Sequence, residues 1–248
     1  MFKTTKKREE KSALKKEDIM NKFLQVGDLT GFSFFLSAMA LLAATIFFVL
    51  ERGSVNGKWK LSLTVATLIT GIAAIHYHYM KSLWVISSTS PTEVRYIDWI
   101  LTVPLMCVEF YLILRALGHG SRAILYRLFG YSTAMLVFGY LGETSIMDPM
   151  VAFAIGLAFW GLVIYEIFKG DAAKAMEASS HLKLKSAFKT LRLFVLIGWI
   201  IYPLGYYLGV TGNVELLNVS YNLADIINKV GFSLVIYLLA RSDSQITA

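Results

Sequence analysis

Four ionisable residues stand inside long apolar stretches: Asp98 and Glu109 in one, Asp225 and Lys229 in another. Charge at membrane depth is expensive, and by default it marks function. Lys229 lies in INKVGFSLVIYLLA, too deep to snorkel easily to water. Asp225 is four residues earlier and shares its helix face, and Tyr221, four earlier again, extends the stripe. One reading is a buried ion pair that fixes packing. The sharper one is chemical: a desolvated lysine is a nucleophile toward carbonyls, so Lys229 can form a Schiff base with an aldehyde cofactor. Asp98, Thr102 and Glu109 fall within about 40° on one helix face, separated by roughly 6 and 16 Å of rise. A protonated Schiff base needs a nearby anion, which Asp98 can supply. A carboxyl in apolar surroundings keeps its proton, so Glu109, between Val108 and Phe110, is placed as a proton reservoir. Thr102 can hydrogen-bond between the two acids. Arg95 joins the set near the outer end of the same segment.

The elements that must position these residues follow from composition. The chain has 248 residues, 56% hydrophobic and only 17% charged, against roughly a quarter in a soluble domain. Mean hydropathy is +0.58. A soluble fold of this length could not hide that much apolar surface, whereas a bilayer solvates it. Spanning helices need about 20 residues each, and apolar segments at 29–51, 58–80, 92–116, 121–142, 147–169, 185–209 and 214–240 predict an all-α membrane protein with seven transmembrane helices. The organisation read from this is a charged tail (1–27), one seven-helix domain (28–241) and a short C-terminal tail (242–248). The N-terminal tail lacks the apolar run of a signal peptide. Pro104 and Pro203 fall inside helices, which membrane bundles tolerate. Cys107 reads as a small core residue, and His119 and His181 read as solvated loop residues.

Basic residues set the orientation. The 1–2 loop has Arg52, Lys58 and Lys60, the 3–4 region Arg115, Arg122 and Arg127, and the 5–6 region six more from Lys169 to Arg192. The 2–3 loop has only Lys81, and the 4–5 and 6–7 loops have none. The 1–2, 3–4 and 5–6 loops are therefore expected inside, with the N-terminus outside and the C-terminus cytoplasmic. The eight basic residues of the tail argue the other way. The net charge of +7 is thus one of topology, and no nucleic-acid partner is expected.

RYIDWILTVPLMCVEFYLIL (95–114) and YNLADIINK (221–229) closely resemble the proteorhodopsins, a branch of the microbial rhodopsins. GWIIYPLGY (198–206) and MLVFGYLGE (135–143) match as well, and the resemblance covers about residues 29–240. It implies a microbial-rhodopsin bundle carrying all-trans retinal on Lys229 and working as a light-driven outward proton pump. In that pattern Asp98 is the counterion and proton acceptor, Asp225 the second counterion and Glu109 the cytoplasmic donor. Arg95 gates release, Thr102 completes the pump signature, His76 contacts the counterion and Glu143 is an acid near the outer side. The pocket implied comprises Trp99, Met106, Met135, Gly139, Trp160, Trp199, Tyr202, Pro203 and Tyr221. Met106 resembles the green-absorbing group at the colour-tuning position. Phe153 stands where carotenoid-binding relatives carry glycine, so no antenna carotenoid is expected. Relatives form pentamers or hexamers, and the same is expected here, in the inner (plasma) membrane. No metal is assigned. A light sensor of the same fold and a retinal-free seven-helix transporter are the alternatives.

Overall fold

The structure is a computed structural model that describes residues 23–210 and 212–246. Most of the charged tail, 1–22, lies outside the described residues. Among these residues seven helices are long and apolar enough to cross a membrane. They are α1 (Leu29–Ser54), α2 (Gly57–Ser87), α3 (Thr92–Ala116), α4 (Arg122–Glu143), α5 (Pro149–Ala178), α6 (Leu182–Gly209) and α7 (Val214–Gln245). Each packs on its neighbour in sequence, and α7 returns to α1 to close the ring.

Local chemistry explains where the helices begin. Asp28 accepts from the Gly31 amide at 2.7 Å and caps α1. Asp148 accepts from the Met150 and Val151 amides, with Pro149 in the first turn of α5. Asn213 does the same for α7. The side-chain distribution is inverted relative to a soluble protein. Ile75, Ile86 and Leu238 are exposed, while Arg95, Asp98, Glu109, Asp225 and Lys229 are buried. Lipid solvates the former, and only the bundle interior can hold the latter.

Three expectations are corrected. The 5–6 region is helical over most of its length, because α5 resumes at Asp171–Ala178 and buries Ala172, Ala173 and Met176. Its sequence, DAAKAMEA, is made of good helix formers with one apolar stripe. Residues 242–246 of the expected C-terminal tail continue the helix of α7, which buries Asp243 and Ser244. Asp243 explains this: it accepts from Trp59 Nε1 at 2.7 Å, Lys58 at 2.8 Å and His181 Nε2 at 3.0 Å. His181 is therefore no solvated loop residue. Its Nδ1 accepts from the Leu184 amide and caps α6.

α6 and α7 are the irregular helices. α6 passes through a 3-10 turn at Gly198–Ile200 before resuming at Ile201. Pro203 lies just beyond, and a proline has no N–H to donate to the Trp199 carbonyl four residues back. α7 contains a π-turn, Ile226–Gly231, that carries Lys229. At the opposite end of the bundle α4, α5 and α6 meet at Gly142, where an added Cβ would overlap the Tyr206 hydroxyl and lie 2.6 Å from Ala152 Cβ. Tyr206 is held there by its bond to the Pro149 carbonyl at 2.8 Å. Gly142→Val should destabilise the bundle by about 1–3 kcal/mol through overpacking. A thermal melting midpoint equal to that of the parent would refute this close approach.

Candidate functional site

α3 and α7 bring the four deep ionisable groups to two places. At the first, Lys229 Nζ donates to Asp98 Oδ2 and, at 2.9 Å, to Asp225 Oδ2. All three side chains are buried. Their carboxylate oxygens differ in occupancy. Asp225 also accepts from Tyr202 at 2.6 Å, Tyr77 at 2.8 Å and Trp99 Nε1 at 3.2 Å. Asp98 accepts from Lys229 alone, and its Oδ1 is buried without a hydrogen-bond partner among the described residues. A carboxylate has about four lone-pair sites. Asp225 accepts four hydrogen bonds, three on Oδ2 and one on Oδ1, so its negative charge is far better satisfied than that of Asp98. Asp98 can take a proton on a free oxygen.

Glu109 is the second place. It lies eleven residues beyond Asp98, roughly 16 Å along the axis of α3. It is fully buried, and neither carboxyl oxygen has a hydrogen-bond partner among the described residues. Its neighbour Phe110 packs edge-on against Phe188 of α6 and Phe232 of α7, with ring centres 5.0 and 5.8 Å apart. Apolar rings thus close this end of the bundle against water. Thr102 is buried between the two acids but bridges nothing, because its hydroxyl donates to the Asp98 backbone carbonyl at 2.9 Å.

Arg95 lies on the other side of Asp98. Its guanidinium is buried and donates to Tyr77 at 3.2 Å, Asn218 at 2.8 Å and Asn222 at 3.0 Å. No carboxylate lies within ion-pair distance of it among the described residues. Amides and the faces of Phe34, Tyr77, Trp99 and Tyr221 surround it instead. Two cations and two carboxylates nevertheless balance within the buried centre, which is how a low-dielectric interior tolerates them. Glu143 accepts from Tyr96 at 2.9 Å, and Tyr96 packs edge-on against Trp99. His76 makes no hydrogen bond to Asp98 among the described residues; its Nδ1 meets the Ile72 carbonyl at 2.8 Å.

An apolar cavity adjoins this centre. Trp99, Met135, Gly139, Trp160, Trp199, Tyr202, Pro203 and Tyr221 line it. Met106 does not; it is buried in the neighbouring core cluster. Tyr96, Val103, Leu136, Phe153, Gly156, Leu157 and Tyr206 complete the wall. Trp99 and Tyr202 both line the cavity and bond Asp225, so cavity and carboxylate centre share a boundary. Tyr77, Asn218 and Asn222 were missed from sequence. The signal was present for the asparagines: 218, 222, 225 and 229 recur at helical spacing on one face of α7.

Fold and site together define a multi-pass membrane protein built around a buried lysine, two carboxylate partners and an aromatic-walled cavity. The sequence places it more narrowly: residues 28–242 match the family model described as bacteriorhodopsin-like protein, and the chain belongs to that family. It is 46% identical over 226 residues to a green-light absorbing proteorhodopsin of Gamma-proteobacterium EBAC31A08, covering 90% of each chain. The crystal structure of a blue light-absorbing proteorhodopsin from Med12 superposes with a TM-score of 0.76 at 43% identity, over 86% of this chain and 98% of that one. Exiguobacterium sibiricum rhodopsin superposes with a TM-score of 0.80 at 36% identity, over 88% and 98%.

Retinal is the chromophore of this family, and the chain is a retinal protein. The residues present fit it. The cavity wall is apolar and aromatic, as a polyene requires, and Asp98 keeps a free oxygen beside the one buried lysine among the described residues.

Proposed function

We propose that this protein is a light-driven proton pump that carries protons outward across the inner (plasma) membrane. Lys229 is the residue that would hold retinal, and Trp99, Trp199 and Tyr202 would line its polyene. When bound, retinal supplies photon absorption and the change of shape that follows it. The Lys229 nitrogen then gives its proton to the open oxygen of Asp98, while Asp225, stabilised by four donors, stays a fixed anion. Glu109 returns a proton to the Lys229 nitrogen from the other side. Arg95, held by neutral amides, is free of a carboxylate tether and responds electrostatically when Asp98 is neutralised, with Glu143 further out. The reading rests above all on one observation: Asp98 meets the Lys229 nitrogen with an oxygen left open, while Glu109 lies buried and unpartnered among the described residues roughly 16 Å farther along α3. A light sensor needs no such internal donor, and Glu109 weighs against that alternative.

The asymmetry of basic loops supports a cytoplasmic C-terminus and an outer N-terminus. The chain is a transporter and converts no substrate. Phe153, stacked on Tyr206 with ring centres 5.1 Å apart, fills the place an antenna carotenoid would need. A pentamer or hexamer is the proposed assembly.

The test is the external pH of an unbuffered suspension of cells making the protein with added retinal. Green light should acidify the medium, and a protonophore should abolish the signal. Alkalinisation would reverse the proposed orientation, and a coloured but pH-silent protein would favour the sensor.

A further inference from the structure

The two helix breaks meet at one buried amide. Asn228 belongs to the π-turn of α7, directly before Lys229, and is 1% exposed. Its Nδ2 donates to the Gly198 carbonyl in the 3-10 turn of α6 at 3.0 Å and lies 3.4 Å from the Tyr202 hydroxyl. Tyr202 in turn donates to Asp225. The other amide atom, Oδ1, is buried with no hydrogen-bond partner among the described residues. It sits against the α-carbon of Gly198: a Cβ there would overlap Oδ1 and lie 3.2 Å from Asn228 Cγ. Gly198 is not among the glycines with positive φ. Space for Asn228 therefore requires it, rather than backbone conformation. A leucine of nearly the same shape would fill this site and remove the stranded Oδ1, while taking from the Gly198 carbonyl the donor that Asn228 supplies.

We propose that Asn228 is a positioning residue that latches the broken turn of α6 to the π-turn of α7. Both turns lack regular α-helical bonding and are the points at which these helices yield. One amide bond between them makes any shift of the Lys229 backbone pull on Gly198, and through it on Trp199 and Tyr202. The functional consequence rests on Lys229 being the retinal-bearing residue. The latch itself belongs to the retinal-free chain.

The experiment uses the full chain in lipid nanodiscs, as Asn228→Leu, Gly198→Ala and the double variant Gly198→Ala/Asn228→Ala. Without retinal, hydrogen exchange of the amides around Trp199 to Tyr202 should quicken by about three- to tenfold in Asn228→Leu, the worth of one hydrogen bond. Its melting midpoint should stay close to the parent's, because losing the bond to the Gly198 carbonyl is offset by removing the unpartnered Oδ1. With retinal, recovery of the visible band after a flash should change by a similar factor. Gly198→Ala should melt lower, and the double variant should regain that loss while keeping fast exchange, because truncating Asn228 leaves room for the new methyl. Exchange and recovery in Asn228→Leu within about twofold of the parent would make the amide a mere space-filler and overturn the latch. So would a double variant melting no higher than Gly198→Ala. If Asn228→Leu fails to fold, the comparison of Gly198→Ala with the double variant still decides. A chain that failed to acidify under light would overturn the pump and leave the retinal-free exchange result standing.

Discussion

Lys229→Ala is expected to give a colourless membrane protein that leaves external pH unchanged in the light. The loss should be complete, because Lys229 is the one buried lysine among the described residues and the cavity offers no other amine. The variant should also lose stability before any pigment is added. Removing the cation strands Asp98 and Asp225 in a dry interior, where breaking a buried pair costs about 3–5 kcal/mol. That cost comes from the uncompensated acids, so neutralising one should recover much of it. Lys229→Ala/Asp98→Asn should therefore melt higher than Lys229→Ala, while remaining colourless. Thermal unfolding of the retinal-free proteins and absorption after retinal addition measure both effects. A Lys229→Ala protein that held a visible band through washing would remove Lys229 from its proposed role. A double variant no more stable than the single one would show that the acids escape burial by relaxation.

The sequence exposed the bundle and most of its deep chemistry for physical reasons. α3 matches its expected bounds because a long apolar stretch ends in Arg115 on one side and begins after Pro91 on the other. Asp98, Glu109, Asp225 and Lys229 stand out because each is costly in that setting. What could not be read is what depends on tertiary partners. Thr102 was expected to bridge two acids and instead back-bonds to its own helix, the usual alternative for a helical threonine. His181 looked solvated, and only the return of Asp243 at the far end of α7 gives it a partner. The π-turn at Lys229 and the 3-10 turn at Gly198 leave no periodicity signal, since each changes the helical repeat by a single residue. Asn218 and Asn222 were legible in spacing but were passed over because amides carry no charge.

The two carboxyls of α3 should fail in opposite ways. Asp98→Asn should retain a visible band, since Asp225 still faces the Lys229 nitrogen at 2.9 Å. It should nevertheless drop light-driven acidification to background. The amide cannot accept the proton, and Asp225 is already stabilised as an anion by bonds from Tyr202, Tyr77 and Trp99. Glu109→Gln should keep the first proton movement after a flash and slow the recovery that follows by about 10²-fold or more, the scale of a lost general acid. Flash photolysis separates the two. The pH dependence gives the sharper criterion. With Glu109 present, recovery draws on a proton already stored behind the Phe110, Phe188 and Phe232 rings, and its rate should vary little over a neutral range. With glutamine in its place the proton must come from bulk water. Recovery should then slow about tenfold for each unit rise in pH, as any step fed by free protons does. A Glu109→Gln recovery as fast and as pH-insensitive as the parent's would mean that the reservoir lies elsewhere. An Asp98→Asn variant that still acidified would mean that bond counting at the carboxylates had chosen the wrong acceptor.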